Sequence, residues 1–417
     1  MSVTLLKNAL ILDGETVERG DVLVSGEEIS GVHKGCAGFD AKADRVVDCG
    51  GKILMPALFN SHTHAAMTLL RGAGADLTLQ GWLFGVILPM EERLTPAMIR
   101  AGGDPAALEM LRFGTAGFQD MYYHMGEMCE SVIASGMKMR VAWPSSAANM
   151  QGVYEGYNGA ANGRINVISA LHAEYTASDA DIEASLDFAR RHSLPVHVHV
   201  SETKRETEEC FAKRGKTPAR FLMDSGFFEH GGSVAHGVWL NDDDITGLLE
   251  KNVSVCHCPV SNLKLGSGVM PIKKLMNAGV AVSLGTDGCA SNNNLNLFEE
   301  LRLAALLHKG IGDDPAAVSS REAFKMATEN GARACGFFDS GVIKQGAKAD
   351  IILVDIDVPH AVPMADPYAH IAYSAQGSDV CMTMVNGKIL YENGEYMTID
   401  KERVLFEAKA AAKELAL

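Results

Sequence analysis

His62-Thr63-His64 closes the apolar run Ile53-Leu54-Met55-Pro56-Ala57-Leu58-Phe59-Asn60. Side chains alternate along a strand, so His62 and His64 share a face while Thr63 points away. Two imidazoles placed this way at a strand end can chelate one metal ion. Three more candidate groups follow, each at or just after a short β-like run: His197, His199 and Glu202 in Pro195–Glu202, His236 ending Ser233–His236, and Asp287 in Val280–Gly288. Zinc accepts imidazole nitrogen and carboxylate oxygen, and a catalytic zinc keeps one position for water. Three histidines, one aspartate and a water would satisfy it, which makes metal-dependent hydrolysis the leading chemistry.

These groups need a scaffold that brings distant strand ends together. From about Lys52 to Gly288, β-rich runs alternate with helical stretches, the signature of repeated βα units around a parallel sheet. The runs number eight: Ile53–Asn60, Thr115–Met121, Met139–Trp143, Ile165–Ala170, Val196–Val200, Ser233–His236, Val253–Cys258 and Val280–Gly285. Helices are expected over Pro96–Phe113, Ser178–His192, Thr203–Gly226, Pro271–Ala278 and Leu295–His308. The pattern predicts an α/β fold, a (β/α)8 TIM barrel spanning 52–345, whose chemistry sits at the C-terminal ends of its strands. His64, Glu202, His236 and Asp287 all fall there.

Residues 1–51 and 346–417 read as β-rich, with hairpin turns at Asn386-Gly387 and Asn393-Gly394. They are expected to pair into one small β-sandwich domain beside the barrel, and Glu402–Ala416 to close the chain as a helix. A chain of 417 residues with 47% hydrophobic content can bury a large core. Its net charge of −15 argues against nucleic-acid or anionic-membrane partners, which need a positive footprint, and favours small neutral or cationic substrates. The start lacks a secretory layout and no segment is long enough to span a bilayer, so a cytoplasmic location is expected. The nine scattered cysteines suit reduced, buried thiols. Cys256-His257-Cys258 on a buried strand is read as packing, with His257 placed to brace Asn262 or the site. His197 is read as a hydrogen-bonded core histidine, and Asp242-Asp243-Asp244 as the acidic first turn of a helix.

His62-x-His64, then His199, His236 and Asp287 in that order, on a barrel flanked by a composite β-domain, resemble the amidohydrolase superfamily over nearly the whole chain. Within it the likeness runs to the deaminases of 5′-methylthioadenosine and S-adenosylhomocysteine. It is carried by Trp82-Leu83-Phe84, Leu88-Pro89-Met90-Glu91, Gly117-Phe118-Gln119-Asp120-Met121-Tyr122, Ser261-Asn262-Leu263-Lys264-Leu265-Gly266, and Gly285-Thr286-Asp287-Gly288 with Ser291-Asn292-Asn293. The resemblance implies His62, His64, His199 and Asp287 as metal ligands, Glu202 as proton shuttle, and His236 as the residue that positions or polarises the attacking water. It implies that Trp82, Glu91 and His172 line a nucleoside pocket, with Glu91 and His172 near the ribose.

Two departures bear on substrate and metal. Where such deaminases place an arginine after the third strand, this chain has Trp143, and Val141–Gly163 contains no Lys or Arg. A desolvated homocysteine carboxylate needs a charge-assisted partner, so an apolar or neutral group is expected at that end of the pocket, with Trp143 lining it. Binuclear members bridge two ions with a carboxylated lysine ending the fourth strand, whereas Ile165–Tyr175 has His172 and no Lys. One divalent ion is expected, Zn²⁺ first, with Fe²⁺ or Mn²⁺ accommodated by the same ligands. A small-molecule substrate is the expected partner, and homo-oligomers are common among barrels of this kind.

The favoured function is hydrolytic deamination of a 6-aminopurine nucleoside such as 5′-methylthioadenosine, 5′-deoxyadenosine or adenosine, releasing ammonia. One alternative keeps the site and changes the substrate to a free aminated heterocycle of guanine, pterin or triazine type. Another, of a different class, is a barrel scaffold without catalysis, which a metal-free protein unresponsive to Zn²⁺ would favour.

Overall fold

The computed structural model describes residues 2–35, 42–143 and 147–415. Eight parallel strands pair in chain order: Leu58–Thr63, Thr115–Asp120, Lys138–Trp143, Ile165–Ala173, Val196–Val200, Gly232–His236, Val253–His257 and Val282–Leu284. Helices follow the strands and cover the outside, making a (β/α)8 barrel. Side chains lace the seam between first and eighth strands. Asn60 Nδ2 donates to Thr286 Oγ1 (2.7 Å), Thr286 N–H donates to Asn60 Oδ1 (3.0 Å), and Ser61 Oγ donates to the Leu284 carbonyl (2.8 Å). Gly285 is required at this seam: a Cβ there would stand 2.8 Å from both the N and O of His62.

Helix starts follow local chemistry. Ser178 with Asp181, Thr203 with Glu206, and Asn241 with Asp244 form reciprocal capping boxes that satisfy first-turn N–H groups. Asp244 is thus a cap, in keeping with the acidic-first-turn reading. The expected helix Thr203–Gly226 is two helices, Lys204–Arg214 and Pro218–Asp224. Gly215 ends the first in the left-handed region, and Thr217-Pro218 caps and starts the second.

The two ends of the chain form one connected nine-stranded mixed sheet. Val3–Leu12 pairs with Val17–Ser25, Arg45–Asp48 and Lys52–Pro56, and Lys52–Pro56 pairs antiparallel with Ile351–Asp355. Leu6, Ile11, Val22, Leu54, Ile351 and Met384 bury into its shared core. The run Ile53–Asn60 therefore divides: Lys52–Pro56 joins the terminal sheet and Leu58–Thr63 the barrel. Both halves are buried, so hydropathy carries no mark of the division. Asn386-Gly387, with positive φ at both residues, makes the two-residue hairpin its sequence demands. The last helix is Lys401–Glu414; Ala416 lies outside the described residues. Among the described residues no helix is long and apolar enough to cross a membrane.

Lys138, at the foot of the third barrel strand, donates to Asp350 Oδ2 (2.6 Å) and Ser340 Oγ (2.9 Å), with both charged side chains buried. Asp350 Oδ1 accepts from the Asn386 N–H, so this ion pair ties barrel to sheet. Removing one partner strands the other charge in the interior. Lys138→Met is expected to lower unfolding free energy by about 3–5 kcal/mol, read from urea melts. A wild-type melt would refute this role.

Candidate metal centre and active-site cavity

Three strand ends deliver their functional groups through constrained turns. Ser201, His236 and Asp287 follow or end the fifth, sixth and eighth strands with φ of 52°, 72° and 61°. Left-handed backbone is unfavourable for such residues, and each costs on the order of 1–3 kcal/mol unless its surroundings enforce it. Here they do: Trp239 N–H donates to the Ser201 carbonyl (2.8 Å), Gly237 N–H to Val200 (3.1 Å), and Asp287 N–H to the His62 carbonyl (3.0 Å).

His62, His199, His236 and Asp287 offer donor atoms that all lie within 4.8 Å of one another. His64 Nε2 stands 3.2 Å from Asp287 Oδ1 and 3.3 Å from His199 Nε2, so a fifth donor borders this cluster. The mutually close four include His236, which the sequence places outside the ligand set. The Nδ1 partners fix the tautomers, because a carbonyl can only accept. His64 Nδ1 donates to the Met121 carbonyl, His199 Nδ1 to the His172 carbonyl (2.6 Å) and His236 Nδ1 to Asn262 Oδ1 (2.8 Å). Each Nε2 lone pair then faces inward.

His62 is oriented by a relay. His197 Nδ1 donates to the Ser233 carbonyl (3.1 Å), which leaves its Nε2 to accept from His62 Nδ1–H (2.9 Å). His62 Nε2 is buried and makes no hydrogen bond. A buried nitrogen without a hydrogen bond, clustered with three other donors, is what a metal ion would satisfy. Asp287 Oδ2 accepts from Ser261 Oγ (2.6 Å) and Ser291 Oγ (2.8 Å), turning Oδ1 toward His62 and His64.

The charges agree with this fit. Burial lowers His62 to about 4 and takes His199 well below its usual value, keeping both neutral. Burial raises the Asp287 carboxyl, but contact with His62 and His64 outweighs it and holds the group well below the usual carboxylate range. Burial opposes charge on His64 too, yet the hydrogen bond to Asp287 prevails and lifts it to about 9. A dication among these donors takes the place of that proton.

Above this floor opens a cavity of about 430 Å³, the size of a small-molecule site. Trp82, Leu83, Phe84, Leu88 and Glu91 line it together with Tyr122, Tyr123, His172, Tyr175 and Thr176. The lining includes residues of a π-helical turn, Leu83–Ile87, a geometry frequent at functional sites. Glu202 is a buried lining residue, accepting from Ser267 Oγ (3.1 Å) and lying 3.8 Å from His236 Nε2. Burial raises its pKa. Burial also raises Glu91, against the pull of the Tyr122 phenol beside it. His172 Nδ1 bonds Thr176 Oγ1 (2.7 Å).

Of the residues expected here, His62 and Trp143 fall outside the cavity lining; His62 belongs to the metal-donor cluster, and Trp143 does not. Trp143 is half-buried against the core, and residues 144–146, which the same reading placed at that end of the pocket, lie outside the described residues. His257 does not brace Asn262. It faces outward to His308 (Nε2–Nε2 3.0 Å), because successive strand residues point to opposite faces and Cys256 takes the inward one. Cys256 and Cys258 are buried free thiols. Tyr123, Tyr175 and the orienting role of His197 went unread; alternation already placed His197 on the face of His199, but gave no sign of which neighbour it would meet.

The amidohydrolase family model matches residues 53–390. A 5-methylthioadenosine/S-adenosylhomocysteine deaminase of Acetivibrio thermocellus is 42% identical over 90% of each chain. A 5′-deoxyadenosine deaminase of Methanosarcina mazei is 42% identical over 100% of this chain and 99% of its own. The crystal structure of an adenosine deaminase from Xanthomonas campestris with bound zinc superposes with a TM-score of 0.94 at 30% identity, covering 99% of this chain and 98% of that one.

If His197 orients His62, His197→Phe should weaken metal binding about 10–100-fold, as losing such outer partners usually does. Chelator competition on the purified protein measures it, and unchanged retention would count against the relay.

Proposed function

The chain belongs to the amidohydrolase family, and from that premise we propose that it hydrolytically deaminates an adenosine-type nucleoside, releasing ammonia. The observation that carries this is the cluster of His62, His199, His236 and Asp287, bordered by His64, at a cavity also lined by the buried acid Glu202. The relatives named as deaminases of 5′-modified adenosines supply the substrate class.

His62, His64, His199 and Asp287 would hold one divalent ion, Zn²⁺ first, with Fe²⁺ or Mn²⁺ tolerated by the same donors. When bound, such an ion lowers the pKa of a water from about 15.7 to roughly 7. Asp287 accepts a proton from the attacking water. His236, with Nδ1–H committed to Asn262, presents Nε2 to hold the nucleophile. Glu202 is kept protonated by burial more readily than an exposed glutamate, and delivers a proton to the ring nitrogen as the C–O bond forms. A second proton reaches the amino group, the C–N bond breaks, and ammonia leaves a ring carbonyl behind.

Glu91 accepts from the ribose hydroxyls, His172 offers its free ring nitrogen nearby, and Trp82 forms an apolar wall. Among the described residues lining the cavity there is no Lys or Arg, while Glu91, Glu202 and Asp287 are all acidic. A 5′ substituent bearing a carboxylate would meet no charge-assisted partner. This supports a neutral 5′ group, as in 5′-methylthioadenosine, 5′-deoxyadenosine or adenosine, over S-adenosylhomocysteine.

Ammonia release by the Zn²⁺-loaded enzyme from these four nucleosides, guanine and a pterin tests the reading. Preference for the three lacking a carboxylate is expected, and activity on free bases alone would overturn it. Glu202→Gln should lower kcat by about 10²–10⁴-fold with metal content intact; near-normal turnover would remove its proton-carrying role. Glu91→Ala should raise KM for nucleosides, and an unchanged KM would exclude it from the ribose site.

A further inference from the structure

Glu206 is a carboxylate that the chemistry above does not use. It is buried, four residues beyond Glu202 on helix Lys204–Arg214, and does not line the cavity. Its carboxylate spans three consecutive backbone amides. Oε1 accepts from Ser201 N–H (2.8 Å), and Oε2 accepts from Glu202 N–H (2.7 Å) and Thr203 N–H (3.4 Å). Thr203 Oγ1 returns a bond from Glu206 N–H (3.1 Å).

A capping box needs only the reciprocal pair between Thr203 and Glu206. The bonds to Ser201 and Glu202 exceed that need, and they fall on the turn where Ser201 is held at φ 52° and from which the Glu202 side chain departs. A fully buried carboxylate costs stability, and burial pushes Glu206 up to about 7. An amide or alanine cap would avoid that cost, so the anion's three-way grip on the turn is its distinguishing contribution.

We propose that Glu206 is a positioning residue that sets the backbone of Ser201–Thr203, and through it the placement of the Glu202 carboxyl against the substrate ring. The proposal rests on the deaminase reading of this site. A displacement of the order of 1 Å at a reacting group costs about 10²-fold in rate. Glu206→Gln keeps size and cap geometry but turns one acceptor into a donor facing an N–H. Its kcat should fall at least about tenfold, with KM, metal content and melting temperature near wild type.

The deciding measurement is a double-mutant cycle with Glu202→Gln. If Glu206 acts through Glu202, the double variant is no slower than Glu202→Gln alone. A further loss of kcat in that background, or wild-type kcat in Glu206→Gln, overturns the proposal. Glu206→Asp retains the charge and cap but withdraws the carboxylate by one methylene, and serves the same cycle if Glu206→Gln fails to fold. The cycle is run on whichever compound of the substrate panel the wild type turns over. Failure of every nucleoside would therefore overturn the substrate reading and leave this result standing.

Discussion

The seam where the first and eighth barrel strands meet is the constraint on which the site depends. His62 and Asp287 lie on its two sides, and the Asp287 N–H donates to the His62 carbonyl at 3.0 Å. Closing the barrel and assembling the metal donors are therefore one event. The paired bonds of Asn60 with Thr286, and of Ser61 with Leu284, fix the register of that closure. Gly285 permits it, since any side chain there would press on the His62 backbone. A shift of one residue along the seam would turn His62 and His64 out of the barrel.

Around this seam the turns that carry functional groups are gripped from behind by buried carboxylates. Asp120 Oδ1 accepts from the Ala65 N–H, next to His64. Glu206 holds Ser201–Thr203, and Glu300 accepts from the Val260 N–H (3.2 Å) and from Asn292 Nδ2 (2.5 Å), which also bonds the Thr286 carbonyl (2.8 Å). Burial raises all three acids, Asp120 to about 7. What they contribute is a fixed backbone at the turns, including left-handed Ser201, before substrate arrives. Electrostatic stabilisation of a transition state is largest when the dipoles are already aimed.

Much of this was legible in the sequence, and what was not has physical reasons. Period-two alternation located His62, His199 and His236 on strands, because one face of each strand meets the barrel interior. Val196–Val200 is a strand with those same limits. The division at Ala57 left no trace because both halves of Ile53–Asn60 are fully buried. The break at Gly215–Thr217 was signalled by a left-handed glycine and a Thr-Pro start, but an unbroken helical pattern on both sides masked it. Trp143 illustrates a different limit: a strand-end position shows where a residue sits along the barrel axis, and leaves open whether its bulk turns to the cavity or the core. Glu206 was invisible for a third reason. As the fourth position of Thr203-x-x-Glu206 it reads as an ordinary cap, and only coordinates reveal that its carboxylate reaches back two residues further.

Stability and chemistry occupy opposite ends of the barrel. Lys138, Asp350 and Ser340 meet at the foot of the third strand, while the donors converge beyond the C-terminal ends of the strands. The terminal sheet therefore supports the floor of the barrel without touching the reacting atoms, and its strand Lys52–Pro56 runs directly into the strand bearing His62. Through Ala57, whose N–H donates to the Asp350 carbonyl at 3.0 Å, the residue that anchors sheet to barrel also anchors the entry of that strand. The sheet thus acts on the site mechanically, by fixing where the first strand begins, and the register of the seam follows from that origin.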